Sequence, residues 1–141
     1  MVLVDSSAWI EGIRKNGAIE VKYTLDGLLN AYEAQWCSPV RLEVLGGARL
    51  DERKHLAYYF SVIPYRPNHE DDWERAVSLA WRIRENGLTV PWLDILIASI
   101  AIHDQVRLYT TDKHFEKISQ FTPLMLYKPG YGGSFSEGKG A

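Results

Sequence analysis

Short apolar runs that stop on a polar residue and hand over at once to a helical pattern recur along this chain, and nothing else constrains its fold as much. Val2–Val4 is continuous, apolar and too short for a helix, so it reads as a buried strand. Asp5 ends it, and Ser6 or Ser7 then caps a helix to about Lys15, with Trp9, Ile10 and Ile13 on one face and Asn16-Gly17 as the stop. Helical spacing returns over residues 19–32 through Val21, Leu25, Leu28 and Leu29, and residues 35–37 read as a second strand. Ser38-Pro39 opens a helix over Val40–Leu45, closed by Gly46-Gly47. Residues 51–60 form a further helix and residues 62–65 a strand closed by Pro67. From Glu70 to Glu85 the helical period puts Trp73, Val77, Ala80 and Arg84 on one stripe with Ala76, Leu79 and Ile83 beside it. Pro91 opens a helix to about His103 that is apolar nearly all round, the pattern of a buried helix. Residues 107–110 and 124–127 read as strands on either side of a short helix over residues 113–118. Strands alternating with helices predict an α/β fold of three layers, α/β/α, around a central, mostly parallel sheet.

With 141 residues and 46% apolar composition, the chain is long enough for one self-sufficient core. That domain is expected over residues 1–128, followed by a flexible Gly/Ser-rich tail over 129–141, "PGYGGSFSEGKGA". Sixteen basic against eighteen acidic residues, a net charge of -2, argue against a protein that coats nucleic acid without regard to sequence. The single cysteine, Cys37, has no internal partner for a disulfide, which points to a reducing, cytoplasmic setting. Leu93–Ile102, the longest apolar stretch, contains Asp94 and Ser99 and is too short to span a bilayer, so no membrane association is expected.

Parallel sheets place their sites beyond the carboxyl ends of the strands, and that gives Asp5 its interest. Asp112 repeats its situation, since "RLYTTD" is a strand-like run that ends on an acid just before a helix. Glu43 and Asp94 lie early in helices opened by Pro39 and Pro91, at the helix ends that face the same sheet edge. Taken singly, each has an ordinary explanation: Asp5 and Asp112 as helix caps, Glu43 on a solvated face, Asp94 in a helix dipole worth only about 0.3–1 kcal/mol at an exposed site. Taken together, those explanations leave the shared geography of the four acids unaccounted for. Clustered carboxylates repel unless a cation joins them, and an oxygen-only ligand set suits Mg²⁺ or Mn²⁺ rather than zinc. None of the four histidines forms a ligand-spaced pair with a cysteine or another histidine. The chemistry that fits such a rim is metal-assisted phosphodiester hydrolysis.

"VLVDSSAWIE", "RLEVL", "PWLDILIASIAI" and "LYTTDKHF" resemble, in order and spacing, the motifs of PIN-domain nucleases, and most of all the compact VapC-type toxins of prokaryotic toxin–antitoxin pairs. The resemblance extends to about Tyr127. It implies a PIN-like fold and a Mg²⁺- or Mn²⁺-dependent endoribonuclease acting on tRNA or rRNA. It also implies a homodimer inhibited by a small cognate antitoxin of VapB type. Carried over position by position, the catalytic and metal-binding acids are Asp5, Glu43, Asp94 and Asp112, with Ser7 and Thr110 as supporting hydroxyls.

Aspartyl-phosphate phosphatases also carry an acid after the first strand, but they need a second aspartate where this chain has Ser7. Receiver domains want an acidic pair that "MVLVD" lacks. The remaining alternative is a non-toxin PIN-fold protein that works in RNA processing, or as a non-catalytic RNA-binding or assembly module. Lys113, Lys117 and Arg14 are the basic residues expected to hold RNA phosphates. Trp9, Trp36, Trp73 and Trp81 are expected in core or interface packing, and Tyr58–Phe60 is a candidate groove for an antitoxin peptide.

Overall fold

A computed structural model describes residues 1–129. Four short strands, β1 (Val2–Val4), β2 (Ala34–Cys37), β3 (Tyr65–Arg66) and β4 (Arg107–Tyr109), form an all-parallel sheet in the order β3-β2-β1-β4. Between and after them lie α1 (Ser6–Ile13), α2 (Ile19–Asn30), α3 (Ser38–Gly46), α4 (Arg53–Phe60), α5 (Glu70–Glu85), α6 (Trp92–Asp104) and α7 (Lys113–Ser119). Val2, Leu3 and Val4 are all buried, so helices cover both faces of the central strand and the three-layer expectation holds. Trp9, Trp36 and Phe60 meet in the core, with Phe60 stacked on Trp36 at 4.2 Å and edge-on to Trp9 at 5.0 Å. No helix among the described residues is long and apolar enough to cross a membrane.

The strand order dictates where a site can form. From β1 the chain steps outward through β2 to β3, then returns to lay β4 on the other side of β1. Connections leave β1 and β4 in opposite directions, which opens a crevice at their carboxyl ends. Asp5 follows β1, Asp112 lies just past β4, and the Asp5 amide donates to the Tyr109 carbonyl at 2.9 Å, which locks the two ends together.

Several local expectations are corrected. Of the caps considered for α1, the structure has Asp5 rather than Ser6 or Ser7; the helix stops at Ile13, and Ile10 is exposed. The third strand is Tyr65–Arg66, not residues 62–65, because its place is set by pairing with Trp36 and Cys37. Residues 124–127 make a single parallel bridge, Leu108 to Leu126, rather than a full strand. Residue 51 falls in a 3-10 turn at Leu50–Glu52 before α4 starts. On α5 the buried residues are Asp72, Leu79 and Ile83, while Trp73, Val77 and Trp81 face outward. The tail expected from residue 129 lies, apart from Pro129, outside the described residues.

Candidate active site

The crevice gathers all four acids. Asp5 is 2% exposed and Asp94 6%, and the two differ in how they are held. Asp5 Oδ2 accepts hydrogen bonds from Ser7 Oγ at 2.7 Å and Thr110 Oγ1 at 3.0 Å, and it caps α1 through the Ser7 amide at 3.4 Å. Ser7 Oγ in turn accepts from the Thr111 amide at 3.1 Å, and Thr110 Oγ1 accepts from the Asp112 amide at 3.0 Å. The Ser7 and Thr110 hydroxyls therefore couple the β1 and β4 ends through one carboxylate. Glu43, in the second turn of α3, is tied in by Ser6, whose Oγ donates to Glu43 Oε1 at 3.0 Å.

Asp94 comes from the first turn of α6, whose start at Pro91 puts it on the crevice. Its Oδ2 is buried without a hydrogen-bond partner. Across from it, His114 Nδ1 stands 3.6 Å away and is likewise buried and unpartnered. That nitrogen also approaches Asp112 Oδ1 at 2.9 Å, out of line for an N–H···O bond. Asp112 Oδ1 accepts from the His114 amide at 2.9 Å, which caps α7. Among the described residues, Asp94, Asp112 and His114 form the group whose ligand atoms converge, all within 4.8 Å of one another.

Electrostatics bind the quartet together. Burial, and then the charges of Asp112, Asp5 and Glu43, push the Asp94 carboxyl up to about 7. Burial raises Asp5 against the pull of its hydrogen bonds, and burial with repulsion from Asp5 and Asp112 raises Glu43. A rim in which acids are held above their ordinary range, with two buried polar atoms facing each other unpaired, fits a divalent cation.

Sequence reasoning missed two residues. Ser6 links Glu43 to the β1 end, a role visible only once α3 is packed against α1. The other is His114, whose place two residues past a capping acid, in the first turn of a helix, was the available signal. Of the basic residues, Lys113 and Lys117 are exposed on α7 next to Asp112. The structure does not bring Arg14 to the rim: it sits at the far end of α1, about 13 to 14 Å along the axis from Asp5, and pairs with Glu11 at 2.9 Å. Cys37, beside the crevice, is fully buried with its thiol pushed up to about 12, mainly by burial, which removes it as a nucleophile.

A family model, PIN domain, matches residues 2–120. The chain is 34% identical over 132 residues to ribonuclease VapC11 of Mycobacterium tuberculosis, covering 88% of this chain and 96% of that protein. Its fold matches FitAcB from Neisseria gonorrhoeae with a TM-score of 0.74 at 16% identity, covering 92% of this chain and 98% of the other. It also matches VapBC2 from Rickettsia felis, solved bound to a DNA fragment from their promoter, with a TM-score of 0.74 at 20% identity, covering 90% and 98%.

Proposed function

The chain belongs to the PIN-domain family, and from that premise we propose that it is a divalent-metal-dependent endoribonuclease, the toxin of a toxin–antitoxin pair. The observation that carries this reading is the crevice between β1 and β4, where four acids meet and Asp94 Oδ2 lies buried without a partner. Asp5, Asp94, Asp112 and Glu43 are the residues that would hold Mg²⁺ or Mn²⁺. Such an ion lowers the pKa of bound water and stabilises charge on the phosphate oxygens. Ser7 and Thr110 fix the Asp5 carboxylate in place, so its orientation does not have to be organised when RNA arrives. Glu43 Oε2, the oxygen not engaged by Ser6, is the one available to take a proton from attacking water. Lys113 and Lys117 supply positive charge for phosphates of the RNA, in the tRNA or rRNA class.

A VapB-type antitoxin is the inhibitor this reading requires, and the structural similarity to VapBC2 supports it. Self-association into a homodimer is supported by an open apolar groove of about 480 Å³ between α5 and α6, lined by Trp73, Val77, Trp81, Trp92 and Leu96. Aromatic side chains exposed together in this way commonly mark a subunit contact.

Expressing wild type and Asp94→Asn in matched cells tests the reading. Wild type should arrest growth and produce new RNA 5′ ends, with cleavage by the purified variant down at least about 100-fold, several kcal/mol of transition-state stabilisation. A folded Asp94→Asn that cuts RNA at the wild-type rate contradicts the assignment.

A further inference from the structure

The ligand set expected from the sequence was oxygen-only, and the structure adds a nitrogen. We propose that His114 is itself a metal ligand through Nδ1, which makes the centre a mixed nitrogen–oxygen site that prefers Mn²⁺ over Mg²⁺. This inference rests on the metal-dependent reading above and concerns which atoms hold the ion.

Geometry carries it. Two donors held at about 2.1 Å from one ion at right angles stand about 3.0 Å apart. His114 Nδ1 lies 2.9 Å from Asp112 Oδ1 and 3.6 Å from Asp94 Oδ2, separations that bracket this edge length. Neither contact is a made hydrogen bond: they are ion pairs only for a protonated ring, and both Nδ1 and Asp94 Oδ2 are buried polar atoms without a hydrogen-bond partner. A cation between them satisfies both at once, which a direct bond in this arrangement does not. The His114 amide donates to Asp112 Oδ1, which anchors the residue's backbone beside that carboxylate. His114 is partly exposed, which leaves the rest of the ring open towards solvent.

Ligand chemistry then sets the preference. Imidazole nitrogen is a poor donor for Mg²⁺, which keeps to oxygen and water, but a good one for first-row transition ions. Asp94 and Asp112 supply the negative charge that either ion needs. His114 thus adds little to Mg²⁺ binding and a full ligand to Mn²⁺.

Electron-spin-echo spectroscopy of Mn²⁺ on the full-length protein reads the contact directly, without reference to activity. Wild type should show modulation from a directly bonded ¹⁴N, and His114→Gln should lose it. Titration calorimetry should show Mn²⁺ binding weakened at least about tenfold in His114→Gln, with Mg²⁺ binding changed less than about threefold. Mn²⁺ bound to wild type without ¹⁴N modulation overturns the proposal while leaving the metal-dependent reading intact. Absence of any Mn²⁺ or Mg²⁺ binding to wild type would overturn both. Because the spectrum of wild type decides the first point, a variant that folds poorly does not shield the idea.

Discussion

Asp72 and Asp94 are both aspartates buried early in a helix, 1% and 6% exposed, and their surroundings treat them in opposite ways. Around Asp72 every negative charge has an answer. Arg66 grips it through two nitrogens at 2.6 and 2.9 Å, Arg75 reaches it at 2.8 Å, and the His69 amide donates at 2.6 Å. Arg66 also binds Asp104 at 2.9 and 3.1 Å, which ties β3 and α5 to the end of α6. Burial alone would raise the Asp72 carboxyl, but the Arg66, His69 and Arg75 bonds outweigh it and hold it well below the usual range. Asp94 has three acids for neighbours and stands raised to about 7. One cluster is complete within the chain and stabilises the packing of three elements. The other is complete only with a cation from outside, which is what separates a structural charge cluster from a functional one.

Breaking the completed cluster should have the largest effect. Arg66→Met leaves Asp72 buried without its main partner and should destabilise the fold by about 3–5 kcal/mol. Thermal melts should drop by roughly 10 °C or more. A change below about 1 kcal/mol would mean the network is not the structural element described here.

Titration sharpens the contrast. Asp94 has a folded pKa above its unfolded value of 3.8, so the folded state binds the extra proton. Its stabilising contribution is present below pH 3.8 and is lost as pH rises through about 7. Asp72, depressed in the fold, contributes stability above pH 3.8 that is lost only as pH falls below it. Between pH 5 and pH 8, then, Asp72 is silent. Metal-free protein should lose on the order of 2 kcal/mol across that window in urea titrations. A flat profile in chelator would remove the repulsion from the account.

Asp5→Asn should have the smallest effect, because Asp5 has a foot in both regimes. Its removal relieves repulsion in the rim but weakens the cap on α1 and the bonds from Ser7 and Thr110. The two nearly offset, so a change within about 1 kcal/mol of wild type in chelator is expected. A loss of several kcal/mol would make Asp5 a structural residue like Asp72.

The two clusters also differ in how far the sequence disclosed them. Asp5, Glu43, Asp94 and Asp112 were legible because each sits at an element boundary written in local signals, an apolar run ending or a proline opening a helix. Alternation predicts a parallel sheet, and the order β3-β2-β1-β4, which no local pattern specifies, completes the convergence. Asp72 is locally placed as a capping acid in the first turn of α5, but Arg66 and Asp104 join it only through tertiary packing, from positions 38 residues apart in the widest pair. Which stripe of α5 turns inward was likewise not legible from its period alone. Its period was clear, but the paired Asp72 turns inward and leaves Trp73 and Val77 outside. His114 lies between these cases, two residues from Asp112 in sequence yet aimed by the fold at Asp94.

The most direct test of the central claim, that the rim is an anionic cluster completed by a divalent cation, compares the unfolding free energy of wild type and Asp94→Asn at pH 8. In chelator the variant should be the more stable by about 1–3 kcal/mol, because a buried charge without a partner has been removed. With Mn²⁺ at ten times its dissociation constant, wild type should gain about 1.4 kcal/mol and the variant much less, so the gap narrows or reverses. A variant less stable than wild type in chelator, or equal Mn²⁺ shifts in the two proteins, would contradict the account.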